Sequence, residues 1–135
     1  MAVDRKKLKP FSLQLKSEQA ATSSLEGTWT NELGSTMLIT QTSGSTFGGT
    51  YKSAVSSGGQ SVKGTLAGTI AGDALAFTVN WQPTYSSVTS WNGLLLSDPQ
   101  GDLYIYSLWN MSSTPQDPSN FWESILAGAD LFEQS

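Results

Sequence analysis

Ala74-Leu75-Ala76-Phe77-Thr78-Val79-Asn80-Trp81, closed by Gln82-Pro83, is the stretch whose reading decides the fold. Large apolar side chains fall at 75, 77, 79 and 81, and small or polar ones at 76, 78 and 80. Residues two apart share a face in an extended strand, so the odd positions point to an interior. Proline has no N–H to give to a ladder, and Pro83 stands where this strand must stop.

The same punctuation recurs on both sides. From Leu25 the chain divides into eight segments rich in Thr, Val, Ile, Tyr, Phe and Trp, approximately 26–32, 35–42, 46–55, 61–69, 74–81, 86–96, 102–110 and 121–127. They are separated by Leu33-Gly34, Ser43-Gly44, Ser56-Ser57-Gly58-Gly59, Gly72-Asp73, Gln82-Pro83, Asp98-Pro99-Gln100-Gly101 and the stretch from Thr114 to Asn120. Turn signals every 8 to 12 residues or so belong to an all-β sandwich or barrel. Short connections make successive strands antiparallel neighbours, and closing eight of them on themselves removes the exposed edges. The expected architecture is an all-β, eight-stranded antiparallel up-and-down barrel over residues 25–135, preceded at 1–24 by a flexible leader or N-terminal extension. Gly48, Gly49, Gly64, Gly68 and Gly93 lie inside segments, where strands are expected to bend.

Composition narrows the function. There is no histidine and no cysteine among 135 residues, which removes the commonest general base, the commonest transition-metal ligand and every thiolate site. A binding protein is therefore favoured over an enzyme, with no catalytic residue, metal or cofactor expected. The formal charge is -4, and after Leu25 only Lys52 and Lys63 oppose nine carboxylates. The folded part consequently has no electrostatic footprint for nucleic acid. No run is long enough for a membrane helix. Residues 1–24 lack the continuous apolar stretch of roughly 7 to 15 residues that a secretory signal requires.

Parity then places polar groups beside aromatic ones. On the tryptophan's face of the sixth segment lie Ser87, Thr89, Trp91 and Gly93; the third carries Tyr51, Ser53 and Val55, and the seventh ends with Trp109 and Met111. Burying an unpaired hydroxyl costs roughly 1 to 3 kcal/mol. Either these faces turn partly outward, or the hydroxyls meet water or a polar ligand inside, and parity alone leaves both readings open.

Four stretches resolve the choice by resemblance: Gly27-Thr28-Trp29-Thr30-Asn31-Glu32-Leu33-Gly34-Ser35, Gly49-Thr50-Tyr51-Lys52-Ser53-Ala54-Val55, Val88-Thr89-Ser90-Trp91-Asn92-Gly93, and the stretch from Trp122 to Asp130. In combination they resemble the avidin and streptavidin family of biotin-binding proteins across residues 26–132. The resemblance implies that Asn31, Ser35 and Tyr51 donate to the oxygen of biotin's ureido group, while Ser53 and Asp130 accept from its N–H groups. It also implies that Thr89 faces the ring sulfur and Ser87 the valerate carboxylate, and that Trp81, Trp91 and Trp109 wall the ring and tail. Leu33, Val55, Ser57 and Met111 complete the implied site. Trp122 is expected to cap the site of a neighbouring subunit in a homotetramer, and the protein is expected to be secreted. Biotin is the implied partner, held tightly and without covalent chemistry.

Other readings fit less of the chain. Gly27-Thr28-Trp29 also fits the Gly-x-Trp opening of lipocalin-like carriers, but a lipocalin runs longer, carries a C-terminal helix and has a mostly apolar calyx. A barrel-type inhibitor or protein interaction module needs no inward polar groups. For an enzyme, Glu123 or Asp130 beside Ser35 or Tyr51 lacks an activating partner. Asp98-Pro99-Gln100-Gly101-Asp102 reads as a turn rather than a calcium loop.

Overall fold

The computed structural model of this chain describes residues 14–15, 22–54, 60–115, 119 and 125–135. Eight long strands follow one another: β2 (Gly27–Asn31), β3 (Thr36–Ser43), β4 (Thr46–Lys52), β5 (Lys63–Ala71), β6 (Ala74–Asn80), β7 (Ser87–Ser97), β8 (Leu103–Ser113) and β9 (Ile125–Gln134). Each pairs antiparallel with its successor, and β9 also pairs with β2 through Trp29–Gln134, Thr30–Glu133 and Asn31–Phe132. The sheet is thus a closed barrel of the expected class, and closure leaves none of the eight with a free long edge. A two-residue strand, β1 (Gln14–Leu15), lies within the segment read as a leader. It pairs with Ser97 and Leu96 of β7, beyond Leu94, where the pairing of β7 with β6 ends.

The period-two pattern fixes the interior. Leu75, Phe77, Val79 and Trp81 are all buried, as are Ser87, Thr89 and Trp91. An aromatic column fills the barrel's middle: Tyr51 stacks on Trp91 at 5.0 Å and Trp91 on Phe77 at 4.8 Å, while Phe132 meets all three edge to face. Below it, fully buried Trp29 donates its Nε1–H to the carbonyl of Leu25 at 2.9 Å, tying the 3₁₀ turn Thr22–Leu25 to the closed end. Each such ring pair contributes about 0.5–1.5 kcal/mol beyond the area it buries.

Two boundaries differ from expectation. The last strand continues to Gln134 rather than ending at 127, and β8 continues to Ser113 rather than 110, while positions 121–124 lie outside the described residues. Asp130 and Glu133 are poor strand formers, which argued for an early end to the strand. Closure overrides that preference: Phe132 is fully buried between β2 and β8, and Asp130 stands inside the strand rather than after it.

The interior glycines also permit close approach between strands. Gly49 sits opposite the register shift between Ile39 and Gln41, and a Cβ there would lie 1.9 Å from the Leu38 carbonyl oxygen. A Cβ on Gly93 would lie 2.3 Å from the Tyr106 carbonyl oxygen and 2.9 Å from both Ser107 Cα and Cβ. These are sites of close approach between neighbouring strands. Gly48 is open by comparison, its nearest contact being 3.4 Å. Gly93→Ala is therefore expected to destabilise the barrel by about 1–3 kcal/mol in urea unfolding, whereas Gly48→Ala changes stability by less than about 0.5 kcal/mol.

Candidate ligand-binding site

At the end of the barrel marked by the turn at 31–35 and the connection β6–β7, polar side chains occupy inward positions. The deepest set is Asn31, Ser35, Tyr51, Trp91 and Asp130, each buried. β2 delivers Asn31 as its last residue. The side-chain oxygen of Asn31 accepts the N–H groups of Leu33 and Ser35 at 3.0 and 2.9 Å, which builds the tight turn that returns the chain into β3. Gly34 completes the turn at φ +88°, a conformation that suits a residue without Cβ. The amide of Asn31 then donates to the Tyr51 hydroxyl at 3.4 Å.

Register brings Asp130 into this set. Ser107 of β8 lies opposite Gly93 on β7 and Asp130 on β9, so these three share one inward rung. Ser107 donates its hydroxyl to the Asp130 carbonyl at 3.2 Å. Trp91 Nε1–H donates to Asp130 Oδ2 at 2.9 Å. The other oxygen, Oδ1, is buried and has no hydrogen-bond partner among the described residues. An oxygen in that condition forfeits its hydration without a replacement, at a cost of about 1–3 kcal/mol or more for a charged group.

The electrostatics follow. Burial raises the pKa of Asp130 from 3.8 to about 6; the Trp91 N–H works against this shift, and the nearby carboxylate of Glu32 adds to it. Glu32 lies on the turn after β2, and its Oε2 accepts the backbone N–H of Leu131 at 2.9 Å. The Tyr51 hydroxyl is pushed well above its usual range, first by burial and then by the charge of Asp130, with Ser35 acting in the opposite direction. Tyr51 consequently keeps its proton and remains a donor at any physiological pH.

Nearer the opening is a cavity of about 580 Å³. Its walls include Ser53, Trp81, Ser87 and Met111, together with Val62, Thr84, Tyr85, Ser86, Ser113 and Thr114. None of these is charged, and hydroxyls outnumber other polar groups. Trp81 links the two levels: it lines the cavity, meets the ring of Tyr51 edge to face at 5.6 Å, and donates its Nε1–H to Thr89 Oγ1 at 2.9 Å.

Of the residues singled out from the sequence, Asn31, Ser35, Tyr51, Thr89, Trp91 and Asp130 form the deep level, and Ser53, Trp81, Ser87 and Met111 the upper one. Trp109 is half-buried opposite Trp91. Leu33 is 42% exposed, so within this structure it contributes its N–H to the turn rather than a wall. Val55, Ser57 and Trp122 lie outside the described residues. Four of the interior hydroxyls find partners within the protein rather than awaiting a ligand. Thr89 accepts from Trp81, Ser107 bonds to the backbone of Asp130, Ser35 Oγ accepts the Ala54 N–H at 2.8 Å, and Ser53 Oγ accepts the Val62 N–H at 2.9 Å. Asp130 Oδ1 is the deep acceptor left over. The sequence reading passed over Glu32 and the hydroxyl-rich rim at 84–86 and 113–114; the Thr-Tyr-Ser-Ser run beside Trp81 is the signal that marks the rim.

Comparison with known proteins agrees with this architecture. Residues 19–135 match the model of the Avidin family. Chicken avidin is 32% identical over 117 residues, covering 81% of this chain and 76% of that protein. Among solved structures, Xenavidin superposes with a TM-score of 0.72 at 28% identity, covering 82% of this chain and 97% of its own. The X-ray structure of a biotin binding protein from chicken gives 0.71 at 27% identity, covering 82% and 95%.

The raised pKa of Asp130 has a definite sign in stability. Between about pH 4 and pH 6 the folded state holds a proton that the unfolded chain releases, so this group's contribution is full below pH 4 and is lost as pH rises through 6. Asp130→Asn cannot ionise. In thermal melts of ligand-free protein, the variant should therefore gain stability relative to the parent as pH rises from 4 to 7, and a difference that stays flat would contradict a buried, protonated Asp130.

Proposed function

Since the chain belongs to the Avidin family, whose members are non-enzymatic biotin-binding proteins, we propose that this barrel holds biotin tightly and non-covalently at its polar end. The observation that carries the placement is the buried, unpartnered Oδ1 of Asp130, a carboxylate oxygen fixed through Trp91 and ready for an N–H donor. A cyclic urea supplies that donor from one edge and a carbonyl oxygen from the other. The donors Asn31, Ser35 and Tyr51 suit that carbonyl, and Tyr51 keeps its proton because burial and Asp130 oppose its ionisation. Ser53 suits the second ureido N–H.

Polarisation makes the two sides reinforce each other. Donors at the carbonyl draw electron density from the ring nitrogens, and a carboxylate opposite draws on their protons, which strengthens every bond of the chain in a site of low dielectric. Trp81, Trp91 and Trp109 supply apolar surface around the bicyclic ring, with Thr89 toward its sulfur and Val55, Ser57 and Met111 completing the wall. The uncharged cavity at the opening, with Ser87 among its hydroxyls, suits the valerate chain and its carboxylate. In the same reading the protein is a secreted homotetramer in which Trp122 of one subunit covers the site of the next.

Calorimetric titration is expected to saturate at one biotin per chain and to raise the melting temperature strongly, because the ligand binds only the folded state. Asp130→Ala is expected to weaken binding about 10- to 150-fold, the loss of a charge-assisted hydrogen bond of about 1.5–3 kcal/mol. Lys52→Ala alters a residue on the outer face of β4 and should leave affinity unchanged. Equal effects of the two substitutions, or no heat at all with a folded sample, would overturn this reading.

A further inference from the structure

We infer that Glu32 is a positioning residue of this site: its side chain stands in for a backbone rung opposite Leu131, fixes the segment that presents Asp130, and sets by charge how acid the medium can become before ligand is released. The inference rests on the biotin reading for its ligand and on the following geometry for its mechanism.

The β2–β9 ladder runs through Trp29–Gln134, Thr30–Glu133 and Asn31–Phe132. The next pair would be Glu32 and Leu131, but the chain leaves β2 at Asn31 to make the turn through Gly34. Leu131 N–H would thereby lose its ladder acceptor, and Glu32 Oε2 supplies one at 2.9 Å. A side-chain acceptor so placed extends the barrel closure by one rung, across 99 residues of chain. That rung is anchored directly beside Asp130, whose side chain must be held with one oxygen on Trp91 and the other free.

A serine or an amide could anchor an N–H equally well, yet a carboxylate brings charge to the edge of a site that must itself carry one. The groups facing Asp130 are Asn31 from β2, Tyr51 from β4, Trp91 from β7, Ser107 from β8 and Glu32 from the turn. Of these, Asn31, Trp91 and Ser107 are neutral, and Tyr51 keeps its proton. Glu32 is the one carboxylate in the set, and it favours the protonated form of Asp130. A protonated Asp130 carries a hydroxyl on one oxygen, whereas Oδ2 must accept from Trp91 and Oδ1 from the ligand, so binding requires release of the proton. Capture is then coupled to pH through a residue that touches no ligand.

The test pairs two variants with two readouts. Glu32→Gln retains a carbonyl acceptor for Leu131 N–H and removes the charge; Glu32→Ala removes both. Biotin affinity of the parent is expected to fall about tenfold between pH 7 and pH 5, as follows from a proton that leaves Asp130 near pH 6. In Glu32→Gln the fall should be smaller than in the parent, with affinity at pH 7 close to that of the parent. Glu32→Ala should weaken binding at every pH, and its rescue by Gln separates the rung from the charge. Independently of any ligand, the stability that Asp130→Asn gains over its reference between pH 4 and pH 7 should be smaller, and should level off at a lower pH, when both carry Glu32→Gln. A uniform loss of affinity in both variants with unchanged pH profiles, or no movement in the ligand-free melts, would overturn the inference. Failure of the parent to bind biotin at any pH would overturn the biotin reading instead, and the ligand-free melts would still decide the role of Glu32.

Discussion

The hydrogen bond from Trp91 to Asp130 is the interaction on which the rest of the structure depends. It joins β7 to β9 across the barrel's interior and orients a carboxylate whose second oxygen is buried and unpaired. It also locks the middle of the aromatic column, because Trp91 lies between Tyr51 and Phe77. The stack fills the core up to the polar level, and the carboxylate marks where packing for stability gives way to preparation for a ligand.

That arrangement costs stability in the free protein. An ionised, half-satisfied carboxylate inside a barrel is unfavourable until an N–H arrives, and burial accordingly raises the pKa of Asp130 to about 6. Around it, acceptors and donors are satisfied within the protein: Asn31 holds its own turn, Thr89 takes the indole N–H of Trp81, and Ser35 and Ser53 each accept a backbone N–H. The site is therefore organised before ligand arrives, so little ordering entropy remains to oppose binding. Glu32 belongs to this preparation, since it keeps β9 in register where β2 has turned away.

Much of the fold was legible in the sequence because a barrel strand needs only alternation and punctuation. Leu75 to Trp81 gave the inward face without ambiguity, and the turns at Gly34, Gly44, Gly72 and Gly101 all carry the positive φ that such glycines permit. The candidate site was legible to the extent that parity and four resembling stretches place residues on an inner face. What escaped reading depends on which strands become neighbours. β9 looked short because Asp130 and Glu133 weaken its strand character, and only pairing with β2 and β8 restores it. The partners of the interior hydroxyls, and the rung that Glu32 supplies to Leu131, are properties of register between distant segments. A glycine such as Gly93 likewise reads as a bend until Tyr106 and Ser107 are seen pressed against it.

The structure of the biotin complex would test the central claim most directly. The account predicts a ureido N–H of biotin donating to Asp130 Oδ1 at about 2.7–3.0 Å while Oδ2 keeps its bond from Trp91, with the ring carbonyl on Asn31, Ser35 and Tyr51. Biotin bound only in the outer cavity among Ser87, Met111 and Ser113, with Oδ1 of Asp130 still unpaired, would contradict it.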